Sequence, residues 1–173
     1  MADGSPKVLV IGYGNPGRQD DGLGPALARF VEGLSLAGVT VDADYQLNVE
    51  DAAAVAEHDV VILADAAVAG PEPYAFIRIE PKPALSFTSH SLEPEALLAM
   101  ARDLFGAQTR GYMLGIRGYN FNEFGETISG RARENLTSAT DFIQAVLADR
   151  DFDRYAAEPE EMATLKAASS NGD

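Results

Sequence analysis

Short aliphatic runs alternate with stretches of helical period along most of this chain. Val8 to Ile11 form an unbroken apolar run ended by Gly12, which predicts a buried strand of the parallel type over residues 7–11. From 22 to 34, Leu23, Leu27, Phe30, Val31 and Leu34 recur at helical spacing. Val39, Val41 and Ala43 alternate with polar neighbours and predict a second strand after Gly38. Residues 48–57 are alanine-rich and read as a helix. Residues 59–64 form the strongest strand signal in the chain, ending at Asp65.

Tyr74 to Ile79 predicts a fourth strand, fenced by prolines at 71, 73, 81 and 83. His90 lies in a loop over 87–91. Ser91 is placed to cap a helix reaching about Leu104, with Glu93 and Glu95 in its first turn. Tyr112 to Arg117 predicts a fifth strand, and a polar, glycine-rich loop runs from Gly118 to Gly130. The last helix covers Arg131 to Leu147, with Phe142, Ile143, Val146 and Leu147 on its apolar face. No internal repeat is visible. Helices alternating with aliphatic strands imply an α/β sandwich around a mostly parallel sheet. The expected organisation is a single domain over 1–150, followed by an acidic, flexible tail over 151–173. Right-handed crossovers bring the loops after strands 1 and 3 to one edge of the sheet. If strands 2 and 3 flank strand 1, a switch-point crevice opens there, with Asp21 and Asp65 pointing into it.

Composition narrows the function. With 46% apolar residues the chain is expected to fold. It has no cysteine, which removes disulfides, thiolate metal sites and a cysteine nucleophile, and suits a reducing cytoplasm. The formal net charge is −14, so neither nucleic acid nor an anionic membrane surface is an expected partner. No secretory signal and no membrane span is expected from the apolar runs.

The candidate chemistry gathers at residues 12–24. Gly12, Gly14 and Gly17 match a dinucleotide fingerprint, and Asp44 could serve as its ribose acid. Asp20 and Asp21 argue against a phosphate, because they sit where the anion would bind, and Pro16 removes one amide donor. The simplest alternative is a helix cap, the role expected of Asp20. An acid at a strand end such as Asp65 is most often a turn former. His58 reads as structural, at the opposite end of the sheet. Two carboxylates and an imidazole, Asp21, Asp65 and His90, make a ligand set for nickel, zinc, iron or manganese.

The motifs Gly12-Tyr-Gly-Asn15 through Asp20-Asp21-Gly22-Leu-Gly24, Ala64-Asp65-Ala66 and Ser89-His90 resemble those of the maturation endopeptidases of nickel-iron hydrogenases. The resemblance spans about residues 7 to 147. It implies a hydrolase-like three-layer α/β/α sandwich, of the phosphorylase/hydrolase type, with a five-stranded mixed sheet whose fourth strand is reversed. It implies an aspartic-type endopeptidase that removes a C-terminal peptide from the nickel-loaded precursor of a hydrogenase large subunit. Carried over by position, Asp21, Asp65 and His90 are the metal-contacting and catalytic residues, and Gly12, Gly14, Asn15 and Asp20 are their scaffold. Nickel is then supplied by the substrate, although another divalent metal is possible in the isolated protein. Two departures stand out: Asp21 is often Glu in that family, and the segment 116–124 is less aliphatic here.

Three rivals carry specific features. Gly14-Asn15-Pro16-Gly17 is similar to a motif of peptidyl-tRNA hydrolases, but their Thr-Arg-His-Asn segment is missing. Ser89 or Ser91 with His90 and Asp65 suggests a serine hydrolase, but there is no nucleophile elbow. A non-catalytic nickel-binding maturation module would use the same ligands without cleavage.

Overall fold

The computed structural model describes residues 4–84 and 92–157. Five strands and five helices follow in the order β1 (Val8–Tyr13), α1 (Leu23–Leu34), β2 (Val39–Asp44), α2 (Asp51–Ala56), β3 (Val60–Ala67), β4 (Tyr74–Ile79), α3 (Pro94–Phe105), β5 (Arg110–Arg117), α4 (Gly130–Asp149) and α5 (Phe152–Tyr155). One sheet holds all five strands in the order β2-β1-β3-β5-β4. The β1–β2, β1–β3 and β3–β5 pairs are parallel, and β4 runs antiparallel to β5. The expected α/β/α architecture is therefore observed, with its reversed fourth strand.

The apolar runs explain the layering. Alternate side chains of a strand face opposite sides of a sheet. Val8, Val10, Ile62, Leu114 and Ile116 point to the face covered by α1 and α4. Leu9, Ile11, Val61 and Leu63 point to the face covered by α2 and α3. Residues 60–64 are buried on both faces, which is why they read as a continuous aliphatic run. Helix α1 turns Leu23, Leu27 and Val31 inward, as its period predicts. Its approach to β1 is very close: a Cβ on Gly12 would collide with the Gly24 carbonyl, and a Cβ on Gly24 with the carbonyls of Tyr13 and Ala64.

Two expectations are revised. Strand β3 does not end before Asp65. Its pairing with β1 stops at Gly12↔Ala64, but its pairing with β5 continues through Asp65↔Gly115 to Ala67↔Arg117. Asp65 is thus a strand residue one step beyond the end of β1's ladder, rather than a turn former. The fold also runs past residue 150, where a flexible tail is expected. Arg150 closes α4 with left-handed backbone (φ 60°), and its guanidinium bonds the Pro6 carbonyl at 3.1 Å. Phe152 then buries its ring against Tyr112. The buried Tyr112 hydroxyl donates to Asp153 at 2.6 Å, and Arg78 bonds both oxygens of that carboxylate. The amide of Ala157 donates to Phe76 beside β4. The acidic composition of this stretch masks one aromatic anchor and one buried phenol that needs an acceptor. Residues 158–173 lie outside the described residues.

Phe152→Ala should destabilise the protein by about 3–5 kcal/mol, the usual cost of emptying a buried aromatic site. Urea unfolding monitored by circular dichroism checks this; a loss below ~1 kcal/mol would show that α5 is dispensable.

Candidate active site

Strand β1 has β2 on one side and β3 on the other, so the chain leaves it in opposite directions at its carboxyl end. A crevice at that point is the usual ligand site of an open α/β sheet. The loop from Gly14 to Asp21 fills the mouth. Gly14 has φ 137°, and a Cβ there would strike the Asp21 carbonyl, so the turn requires glycine.

The backbone of this loop decides between an anion and a cation. The Gly14 amide donates to the Asp44 carbonyl, and the Asn15 amide to Asp21 Oδ2 at 2.8 Å. The Gly17 amide donates to Asn15 Oδ1, and the Arg18 amide to the Asn15 carbonyl. Pro16 has no amide to offer. The donors that would cradle a pyrophosphate are thus consumed within the loop, in part by a carboxylate. Asp44, the candidate ribose acid, is engaged by the Tyr45 amide and Asn48. The dinucleotide reading has no donors left to use.

The two neighbouring acids point to different places. Asp20 is fully buried. Its carboxylate accepts from the amides of Tyr119, Asn120 and Ser129 and from the Ser129 hydroxyl, all between 2.7 and 2.9 Å. It does not cap α1, as the sequence led us to expect. A short 3-10 turn over Gln19–Gly22 intervenes, the N-cap of α1 is Gly22, and no side chain caps it. Asp20 instead ties the first loop to the loop after β5, where Ser129 is the N-cap of α4. Burial pushes this carboxyl upward, but the four donors outweigh it and hold the carboxyl below its ordinary range.

Asp21 turns back over the glycine loop. Its Oδ2 takes the Asn15 amide, and its charge is felt at Asp65. Asp65 is mostly buried, and burial raises its carboxyl from 3.8 to about 7. Its bond from the Ala66 amide (2.8 Å) opposes that rise, and the charge of Asp21 adds to it. The charge of Asp21 thus reaches Asp65, and like charges that interact favour a bound cation or a shared proton.

Tyr13 belongs to the same corner and carries no signal in the sequence beyond the variable position of Gly-x-Gly. Its ring packs on the α2–α3 face, and its hydroxyl meets the Met113 sulfur at 3.8 Å. Burial raises its phenol strongly, and the charges of Asp65, Glu93 and Glu95 raise it further. Tyr13 therefore keeps its proton and can donate a hydrogen bond. The acids at the start of α3, expected only as first-turn residues, thus lie near enough to Tyr13 for their charge to be felt there.

His90, with Ser89 and the expected cap Ser91, lies outside the described residues. Among the described residues, no group of three His, Cys, Asp or Glu side chains gathers to hold a metal. The carboxylates of Asp21 and Asp65 supply two oxygen donors, a set that fits a hard or borderline divalent cation but does not complete its shell. His58 has the structural role expected of it, with its ring nitrogens bonded to the Ala54 carbonyl and Thr40. No helix among the described residues is long and apolar enough to cross a membrane.

The fold and this corner define an α/β/α protein with an acidic switch-point site. No protein-family model and no curated protein matches the sequence. Solved structures do match. HycI from Thermococcus kodakarensis KOD1, a [NiFe] hydrogenase maturation protease, is 22% identical over 84% of this chain and 95% of its own, with a TM-score of 0.65. The hydrogenase maturating endopeptidase HybD from E. coli is 20% identical over 84% of this chain and 94% of its own, also with a TM-score of 0.65. An uncharacterized protein from Wolinella succinogenes is 27% identical over 82% and 96%, with a TM-score of 0.57. This chain has the fold of the hydrogenase maturation proteases.

Two predictions follow from the unlike acids. Asp20→Ala leaves three amides and a hydroxyl without their acceptor and should cost at least ~3 kcal/mol, seen as a lower denaturation midpoint. Asp20→Asn should recover only part of this, because its amide group must oppose one of the donors. Asp65 behaves in the opposite sense. Between pH 4 and 7 the folded protein keeps a proton that the unfolded chain releases, so stability falls as pH rises through that window. The ceiling is roughly 4 kcal/mol, and solvent contact lowers it to about 2 kcal/mol. Asp65→Asn should therefore gain about 2 kcal/mol relative to wild type between pH 5 and pH 8. Parallel melts at the two pH values check this, and an unchanged difference would refute it.

Proposed function

We propose that this protein is a hydrogenase maturation endopeptidase, which removes a C-terminal peptide from the nickel-loaded precursor of a nickel-iron hydrogenase large subunit. The observation that carries the reading is the convergence of Asp21 and Asp65 at the switch point of this fold, with the loop amides turned away from any anion. The likeness to HycI and HybD supports the same reading.

In this reading the substrate brings the nickel. Asp21, Asp65 and His90 complete its coordination and so dock the cleavage site, while a precursor without nickel offers no such handle. The docked bond then lies beside groups fixed in advance, which is where positioning lowers a barrier. The chain has no cysteine, and water is the attacking group. Asp65 is the side chain able to take a proton from it near neutral pH. The bound nickel supplies polarisation of the scissile carbonyl or of the water. The site works in the cytoplasm, where the precursor is made.

The test is to incubate the protein with nickel-loaded and nickel-free precursor and follow product size. Only the loaded form should be cut. Asp21→Ala, Asp65→Ala and His90→Ala should each lower kcat/KM by at least about 100-fold with melting intact. Cleavage should rise with pH through about 7 as Asp65 loses its proton. Nickel-independent cleavage, or wild-type rates from the variants, would refute the reading. Nickel-dependent association without cleavage would identify a binding module instead.

A further inference from the structure

Arg18 stands three residues before Asp21, on the outer side of the glycine loop, and its carbonyl accepts the Asp21 amide at 3.2 Å. Its guanidinium lies over the ring of Phe124, 5.9 Å from the centroid. Phe124 is 88% exposed, on the loop after β5. Among the described residues Arg18 makes no ion pair, although the chain carries 27 acids and 13 Lys and Arg. Five other arginines in the described residues reach a carboxylate, and Arg117, Arg133 and Arg150 reach backbone carbonyls.

The pair is built rather than incidental. The amide of Gly125, next to Phe124, donates to the Gly17 carbonyl at 2.8 Å, and the Gln19 amide donates back to Gly125 at 2.7 Å. These bonds bracket Arg18 on both sides. Gln19 between Arg18 and Asp20 is left-handed, with φ 54°. That conformation is costly for a residue with a side chain, and here it separates a carboxylate sent inward from a guanidinium sent outward. The Asp20 clamp holds the far ends of the same loop.

Stacking on an aromatic ring occupies the face of a guanidinium and leaves its edge donors free. Those donors match a carboxylate in two-point geometry. We infer that Arg18, seated on Phe124, is a specificity residue that binds an acidic side chain of the polypeptide substrate next to the segment docked at Asp21 and Asp65. The mouth of the site then carries an ordered pair of opposite charges, two acids for a cationic centre and one cation for a carboxylate beside it. A substrate lacking the acid, or presenting a basic residue there, is disfavoured. This inference rests on the endopeptidase reading.

The test uses steady-state cleavage of nickel-loaded precursor. Arg18→Glu should raise KM by about tenfold or more with kcat within about twofold, and Arg18→Ala should do so by less. Salt at about 0.5 M should weaken the wild type toward Arg18→Ala and leave that variant little changed. Acidic residues of the precursor near the cleavage position are then changed to Lys one at a time. One of these precursors should restore cleavage by Arg18→Glu, a rescue that a merely structural role would not give. Unchanged KM in folded Arg18→Glu, a loss confined to kcat, or no rescue by any reversed precursor would overturn the inference and leave the endopeptidase reading standing. If the wild type cuts no precursor, both fall.

Discussion

One buried carboxylate organises the functional end of this molecule. Asp20 has no solvent contact, and an unpartnered charge in that position would be prohibitive. Four donors within 2.9 Å satisfy it, and all four come from the loop about 100 residues later in the chain. The loop after β5 must therefore fold against the loop after β1 before Asp20 can be ionised inside. That requirement couples the start of α1, the start of α4 and the glycine loop into one unit. It also leaves Asp21, the next residue, little freedom except to turn back over Gly14 and Asn15.

Around this clamp the chain keeps other close tolerances. Gly12 and Gly24 allow α1 to approach β1 with backbone nearly in contact. In the loop after β5, the guanidiniums of Arg117 and Arg131 both lie over the Tyr119 ring, whose hydroxyl donates to Glu72 and accepts from Asn135. These contacts join the β3–β4 connection to the same loop. The carboxyl end of β1 is thus bordered by a set of linked loops on a rigid sheet.

Much of the architecture could be read from the sequence because it rests on local pattern. The aliphatic runs at 8–11 and 60–64 and the helical period at 23–34 report burial directly, and all three elements are observed. What the pattern could not report are contacts between distant residues. Nothing near Asp20 signals that its partners are Tyr119, Asn120 and Ser129, so a local cap was the natural expectation. Asp65 looked like a strand end because the run of aliphatic residues stops there, whereas the ladder to β5 continues through Ala67. Phe152 and Asp153 sit in an acidic stretch whose composition resembles a tail, yet Tyr112 needs an acceptor for its buried hydroxyl and finds it there. Of the candidate site, Asp21 lies near enough to Asp65 for its charge to be felt there, while His90 lies outside the described residues. Tyr13 was missed because a buried phenol among acids has no sequence signature.

The contrast between Asp20 and Asp65 separates scaffold from chemistry on physical grounds. Both are withdrawn from water. Asp20 receives a full set of donors, its carboxyl is held below the ordinary range, and it has no remaining capacity for a ligand. Asp65 receives one amide bond and the repulsion of Asp21, and its carboxyl moves up to about 7. A fold under selection for stability alone would satisfy that carboxylate or replace it with an apolar residue. Leaving it undersatisfied beside a second acid keeps a latent demand for positive charge at the mouth of the crevice. No cationic side chain among the described residues answers that demand at Asp65: its carboxyl is raised by burial and by the charge of Asp21, with only the Ala66 amide opposing.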